Sequence, residues 1–188
     1  AAELAGKTEN NLSVVLLLEW HGRRLLFPGD AEWSGKNNIA VKVGKSNSSW
    51  NVMWQERHAD LAQPLDFLKI GHHGSENATP WAPADKKGKF PAINQILDAL
   101  LPIPHPGESP RGYAVASTER TERWPSIPNA ALMETIGRRV VNSRAAYVEA
   151  PGNLVVKPGV PQPQRTDLEG QVTGGKVEYI EICFEPVA

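Results

Sequence analysis

The chain is built of short apolar runs separated by turn-forming residues. Leu12 to Trp20 is a nearly continuous apolar run, and Arg23 to Phe27 is a second, shorter one. The pair His21-Gly22 stands between them, and such a pair between two short runs predicts a β-hairpin. Because the first run is apolar at almost every position, we expect its strand to be covered on both faces. The alternative, a core helix through the leucines, is disfavoured by the shortness of both runs and by Pro28-Gly29.

The rest of the pattern alternates between helical and extended signals. Helices are expected near 31–42, 51–62, 92–101 and 129–140. Further strands are expected over 65–70, 113–117, 146–148, 153–156 and 177–184. The chain has 16 glycines and 16 prolines, which favours many turns over a helical bundle. Strands mixed with helices predict an α/β or α+β layered fold with a mixed sheet.

Composition and charge narrow the class of protein. The 188 residues suit one domain, and 40% of them are hydrophobic, enough for a packed core. The formal net charge of −1 gives no overall attraction to nucleic acid or to an anionic membrane. The longest unbroken apolar run, Val14 to Leu18, falls far short of the roughly 20 residues that span a bilayer. Cys183 is the single cysteine, which excludes an internal disulfide and fits a reducing, cytoplasmic compartment.

An acidic residue follows the second apolar run directly after a glycine turn, in Phe27-Pro28-Gly29-Asp30. Loops at the carboxyl ends of strands often carry functional groups, so Asp30 is a candidate site residue. The alternative is a helix cap, because Asp30 followed by Ala31-Glu32-Trp33 has the form of an N-cap and a first helical turn. Taken alone, the segment favours the cap.

Two adjacent histidines follow the next predicted strand, within Lys69-Ile-Gly-His72-His73-Gly-Ser75. The flanking glycines allow a sharp turn, and imidazole is both a common metal ligand and an acid–base group near neutral pH. The segment alone leaves a structural role and a metal or catalytic role about equally open. If the two strands are neighbours in one sheet, Asp30 and an imidazole meet at one edge. A carboxylate plus a histidine is half of a hydrolytic zinc or manganese site.

These two segments, together with Asn10 to Leu18, resemble the C-terminal half of a metallo-β-lactamase-fold hydrolase. The chain is most similar to the metallo-hydrolase domain of bacterial DNA-uptake (competence) channel proteins. The similarity is good over residues 10–80, weaker through the 113–117 strand and the following helix, and absent beyond about 157. It implies that residues 1–188 form the second half of an αββα sandwich, with a family-like core over 10–156, a loop over 157–175 and a final strand over 176–188.

The resemblance also implies roles for the site residues. In the family the aspartate after the glycine turn bridges two metal ions, and Asp30 matches it. The histidine of the His-His-Gly-Ser turn ligates the second metal, which His72 matches, with His73 as a neighbour able to exchange roles. The implied cofactor is a pair of Zn²⁺ ions, or Mn²⁺, that activates water to attack a phosphodiester or ester-type bond. Asp30 and His72 are then the catalytic pair.

The family's N-terminal signature, His-x-His-x-Asp-His, is missing from this chain. The nearest approach, His58-Ala-Asp60, is out of order and is interpreted as ordinary surface. The chain by itself offers one bridging carboxylate and one or two imidazoles, too few for a closed site. We therefore expect a complementary N-terminal half, from the same polypeptide or another chain, to carry the motif and cover the exposed half of the sandwich.

The function implied is a bacterial, metal-dependent hydrolase acting on a phosphodiester or on nucleic acid. The alternative is a non-catalytic interaction module that keeps the fold but lacks the full metal site. The tryptophans do not decide between the two, because Trp33, Trp50 and Trp54 are spaced as core anchors rather than as a stacking platform for bases.

Overall fold

The computed structural model describes residues 13–33, 49–82, 91–116 and 126–145, with short pieces between 168 and 187. Its main strands are β1 (Leu16–Trp20), β2 (Arg23–Phe27), β3 (Phe67–Lys69), β4 (Tyr113–Ala116) and β5 (Asn142–Ala145). Its helices are α1 (Ser49–Glu56), α2 (His58–Leu61), α3 (Pro91–Leu100) and α4 (Ala130–Gly137). Near the C-terminus lie four two-residue strands, β6 (Leu168–Glu169), β7 (Val172–Thr173), β8 (Lys176–Val177) and β9 (Glu181–Ile182).

The main strands form one five-stranded sheet in the order β1-β2-β3-β4-β5. Strands β1 and β2 are antiparallel, and every other neighbouring pair is parallel. The predicted hairpin is confirmed, with its turn at His21 (φ 44°) and Gly22 (φ 75°), the left-handed pair that a two-residue hairpin turn requires. The prediction of a mixed α/β class with a mixed sheet is therefore confirmed.

Several boundaries differ from the sequence predictions. Of the helix predicted near 31–42, residues 31–33 are not helical and the remainder lies outside the described residues. The predicted 51–62 helix is divided into α1 and α2. Strand β5 was not predicted. Within the final predicted strand, 177–184, the described residues include the last residue of β8, Val177, and the whole of β9. The predicted strands at 146–148 and 153–156 and the residue Cys183 lie outside the described residues.

The hydrophobic core lies on one face of the sheet. Leu26, Leu68 and Ala114 occupy neighbouring positions on β2, β3 and β4, and each is no more than 1% exposed. The four helices bury their apolar residues in the same cluster, which also contains the fully buried Trp50. Trp33 and Trp54 pack against the cluster while partly exposed, so the prediction that the tryptophans anchor the core is confirmed.

The opposite face of the sheet is mostly apolar, and it is exposed along β1. We call it the open face; the strand registers place on it Leu16, Leu18, Leu25, Phe27, Phe67, Lys69, Tyr113 and Val115. Leu16 and Leu18 are 55% and 46% exposed, and Trp20 on the same side of β1 is 45% exposed. The prediction that β1 is covered on both faces is thus wrong for this chain. Its outer residues are apolar, yet the described part of the chain supplies no layer over them.

The C-terminal segment covers one end of the open face. The ring of Phe184 packs edge-on against Phe67 and Tyr113, with centroids 6.3 and 5.7 Å apart. The Val187 N–H donates to the His21 carbonyl at 3.1 Å, and this bond ties the segment to the hairpin turn. The segment therefore lies near the turn end of β2.

A buried ionic cluster fixes the start of β3. Asp66 is 1% exposed and accepts hydrogen bonds from the Arg24 backbone N–H at 2.9 Å and from the Arg23 and Arg111 guanidinium groups, each at 3.1 Å. Burial by itself would raise the pKa of Asp66, but these donors outweigh it and hold the pKa below the usual 3.8. The cluster joins β2, β3 and the approach to β4 at the end of the sheet opposite the histidine turn.

None of the helices in the described ranges has the length and apolar character needed to cross a membrane.

Candidate functional site

The structure brings the two predicted motifs together at one edge of the sheet. Strands β2 and β3 are parallel neighbours, with Leu26 paired to Leu68. Asp30 follows the end of β2 by three residues, and His72 follows the end of β3 by the same number. The His72 backbone N–H donates to the Gly29 carbonyl at 3.2 Å. The turns that carry Asp30 and His72 are therefore in direct contact, as the sequence predicted for neighbouring strands.

Asp30 does not cap a helix within the described residues. The chain turns after Pro28, whose carbonyl accepts a hydrogen bond from the Ala31 N–H at 3.1 Å, and residues 31–33 then run without helical structure. The Asp30 backbone N–H is held by the Ser13 Oγ at 3.2 Å, and Asp30 is exposed. The Asp30 side chain therefore does not cap a helix at residues 31–33, although the sequence favoured that role.

Contact between the two turns depends on the absence of a side chain at Gly71. A Cβ placed there would lie 2.8 Å from the Gly29 carbonyl oxygen and 2.9 Å from that of Ala78. Both are backbone atoms, so neither can move away as the end of a side chain would. Gly71 has an ordinary extended conformation (φ −68°), and close approach is therefore what requires glycine here.

We expect Gly71→Ala to separate the turns and to cost about 2 kcal/mol of folding free energy, as overpacking of a tight contact does. Amide hydrogen exchange measured by NMR checks this, because the His72 N–H loses its Gly29 acceptor and should exchange faster. Unchanged protection of the His72 amide would show that the contact does not hold the turn in place.

His72 is half-buried and has a defined hydrogen-bonding environment. Its Nδ1 lies 3.4 Å from the Ser75 Oγ, and the Ser75 hydroxyl donates to the Asn77 Oδ1 at 2.6 Å. Since the Ser75 proton is directed at Asn77, the Ser75 oxygen is left to accept a hydrogen from Nδ1. In a neutral imidazole this arrangement places the proton on Nδ1 and leaves the lone pair on Nε2, the atom that would ligate a metal ion. His73 is exposed, and its ring centroid is 6.2 Å from that of His72.

The backbone of the histidine turn is strained. His72 and His73 have φ angles of 40° and 56°, in the left-handed region that residues with a Cβ rarely adopt. The segment after the turn is held by two indole groups, with Trp33 Nε1 donating to the Glu76 carbonyl at 3.0 Å and Trp50 Nε1 to the Ala78 carbonyl at 3.1 Å. Strain of this kind persists only when the surroundings fix the backbone, and it occurs often at functional sites.

Lys69 adds a cation to this edge that the sequence analysis did not single out. Its side chain is half-buried on the open face, and its Nζ donates to the Ile70 carbonyl at 3.1 Å. Burial lowers the pKa of Lys69 below the usual 10.5, while the nearby Asp30 carboxylate acts in the opposite direction. Ser75 and Asn77 were also missed as partners of His72. Lys69 and Ser75 lie inside the quoted motif, whereas no sequence signal pointed to Asn77.

The other histidines of the chain lie away from this edge. His58 begins α2, is exposed and packs edge-on against Trp54, with ring centroids 4.3 Å apart. His21 is exposed in the hairpin turn, and His105 is exposed in a turn closed by the Glu108 N–H. His58 is thus a surface residue, as the sequence analysis interpreted it.

The donor set fits a metal centre in part. Asp30 offers carboxylate oxygens, and His72 offers the Nε2 lone pair, with His73 beside it. Among the residues that the structure describes, no three His, Cys, Asp or Glu side chains are grouped to hold a metal ion. A carboxylate and an imidazole are the correct chemistry for zinc or manganese but not a complete coordination shell.

Comparisons with known proteins give no further assignment. Models of protein families, curated proteins and solved structures were compared with the chain, and none of them matches it. The class that the fold defines is a layered α/β protein with a five-stranded mixed sheet, one face of which is covered by helices.

Proposed function

We propose that this chain is the C-terminal half of a metal-dependent hydrolase domain of the metallo-β-lactamase type. The observation that carries the proposal is the bond between the His72 N–H and the Gly29 carbonyl, which joins the two ligand-bearing turns. Asp30 and His72 would hold the metal, with His73 as the alternative imidazole. A bound divalent cation, Zn²⁺ or Mn²⁺, would supply an activated water for attack on a phosphodiester or ester-type bond.

The proposed partner is a complementary N-terminal half, from the same polypeptide or a second chain. The open face supports this, because Leu16, Leu18 and Trp20 expose a continuous apolar strip along β1. Large contiguous apolar patches on a folded protein usually mark an interaction surface. Such a layer would face Asp30 and His72 across the same edge, where the missing histidine and aspartate ligands could complete the site.

Metal binding centred on the two turns is the expected result. Mn²⁺ added to the ¹⁵N-labelled chain should broaden amide signals around Asp30 and His72 first, because paramagnetic broadening falls steeply with distance. Asp30→Asn removes a negatively charged ligand while keeping its shape, and it should weaken Mn²⁺ binding by about 10–100-fold. In protein that includes the complementary half, the same change should lower hydrolysis of bis(4-nitrophenyl) phosphate by about 100-fold.

His58→Gln combined with Asp60→Asn is the matched control, since it removes an exposed imidazole and carboxylate away from the site. Both Mn²⁺ binding and hydrolysis should be unchanged in this variant. Broadening centred elsewhere, or binding that Asp30→Asn does not affect, would contradict the proposal.

A second candidate is a partner-binding module that keeps the fold without the reaction. The extent of the open face favours it, because an apolar surface of this kind can serve association alone. The two candidates differ in one measurement. The module predicts full association of Asp30→Asn with the complementary half and no hydrolysis by the wild-type assembly with any divalent cation.

A further inference from the structure

The feature that carries a further inference is the side chain of Lys69, because it differs from the other cations of the chain. Six arginines whose side chains are described each have a carboxylate within ion-pair distance: Arg23, Arg24, Arg57, Arg111, Arg138 and Arg139. Lys69 is the one lysine or arginine with a described side chain for which the structure records no such ion pair. A half-buried cation without an ion-pair partner is costly to keep unless something else neutralises its charge.

The position of Lys69 directs its charge toward the candidate site. It ends β3, three residues before His72, and the register pairs it with Val115 on the open face. Asp30 is close enough to act on its charge, yet no ion pair joins the two. The Nζ uses one N–H in its bond to the Ile70 carbonyl, which leaves two donors of the ammonium group available.

We propose that Lys69 is the anion-recognition residue of this site and selects a phosphodiester over a neutral ester or lactam. The proposal rests on the proposed function, since it names the substrate class of the same edge. An ammonium group attracts a substrate that carries a formal negative charge, as every phosphodiester does near neutral pH, and gains little from a neutral carbonyl compound. The negative charge of Asp30 would attract a metal ion, and the positive charge of Lys69 would attract the anionic group of the substrate.

The first test is binding, which does not depend on catalysis. Dimethyl phosphate, a phosphodiester anion, and trimethyl phosphate, its neutral counterpart, are titrated into the ¹⁵N-labelled chain without metal. We expect dimethyl phosphate to shift amide signals near Lys69 and His72, and trimethyl phosphate to leave them unchanged. Lys69→Gln should weaken dimethyl phosphate binding about tenfold, whereas Lys69→Arg, which keeps the charge, should retain it within about threefold.

Arg57→Gln is the control for loss of a surface cation. Arg57 is exposed and lies between α1 and α2, away from the histidine turn in sequence. The Arg57→Gln variant should bind dimethyl phosphate as the wild type does. Equal shifts from the two phosphate esters, or dimethyl phosphate binding that Lys69→Gln leaves intact, would overturn the assignment.

The second test is selectivity in hydrolysis, with the protein that includes the complementary half. Lys69→Gln should lower kcat/KM for bis(4-nitrophenyl) phosphate about tenfold and leave that for neutral 4-nitrophenyl acetate within about twofold. Equal losses on both esters would overturn the role of Lys69 in selectivity. A wild type inactive on both esters that still binds dimethyl phosphate through Lys69 would reject the proposed hydrolase and keep the anion site.

Discussion

Asp66→Asn should lower the free energy of unfolding by about 3 kcal/mol at pH 7, because it removes the buried carboxylate that forms ion pairs with both Arg23 and Arg111. Asparagine fills the same space, so the loss reports charge and hydrogen bonding rather than a cavity. The Arg24 backbone N–H, now bonded to the Asp66 Oδ2 at 2.9 Å, would also face a weaker acceptor. Urea denaturation followed by circular dichroism should show the midpoint falling by about 1–2 M.

The pH dependence of stability follows from the direction of the Asp66 pKa shift. The folded protein holds the pKa of Asp66 below the usual 3.8, so the folded state binds this proton less readily than the unfolded chain does. The stabilisation is therefore fully present above the unfolded pKa and is lost as the pH falls through the folded one. We expect the difference in unfolding free energy between wild type and Asp66→Asn to be constant from pH 7 to about 5 and to shrink below that.

Asp60→Asn serves as the control for a carboxylate that forms only a surface pair. The Asp60 side chain is 56% exposed, and its 3.8 Å pair with Arg57 should contribute less than about 0.5 kcal/mol. A loss of stability in Asp60→Asn equal to that in Asp66→Asn, or a wild-type-to-Asp66→Asn difference that does not change with acid pH, would contradict this account.

The sequence predicted the elements whose signals are local. The hairpin is determined by two neighbouring runs and the His21-Gly22 turn, and β2 has the predicted bounds, Arg23–Phe27. Strand β5 has the sequence Asn-Ser-Arg-Ala, which carries no apolar periodicity, and it is a strand because it pairs with β4. Its stability depends on a partner about thirty residues away, and no local pattern contains that information.

The error over β1 has a related cause. An apolar run indicates that a strand is to be buried, but it does not say what buries it. Leu17 packs on the core while Leu16 and Leu18 are exposed, so the sequence pattern is satisfied only when another layer covers the open face. The pattern is consistent with a half sandwich whose complement lies elsewhere, which is the partner proposed above.

The candidate site was predictable to the level of its two turns. The spacing of Asp30 and His72 after their strands was enough to predict that the turns carrying them meet, provided that the strands are neighbours. The hydrogen bonds of Ser75 and Asn77 were not predictable, because they depend on the left-handed conformation of the histidine turn. The unpaired charge of Lys69 could be recognised only after the partners of the arginines were known.

Gly74→Ala is expected to be about as destabilising as Asp66→Asn, with a loss of about 3 kcal/mol. Gly74 has a φ of +83°, which disfavours any residue with a Cβ, and that Cβ would lie 2.7 Å from the Cβ of Pro128. The Gly74 carbonyl also accepts the Asn129 N–H at 2.8 Å, just before α4, so displacement would separate the helix start from the histidine turn. Thermal unfolding followed by circular dichroism should show Tm lower by about 6–12 °C.

Gly107→Ala separates the two causes, since Gly107 has a similar φ of +88° but no atom within 4 Å of the added Cβ. It should cost only the conformational part, about 1 kcal/mol, and lower Tm by about 2–4 °C. The excess in Gly74→Ala then measures the contact with Pro128, through which α4 supports the turn that carries His72. If the two variants lose equal stability, the Pro128 contact contributes nothing and the histidine turn is held by its own backbone and by the tryptophan hydrogen bonds alone.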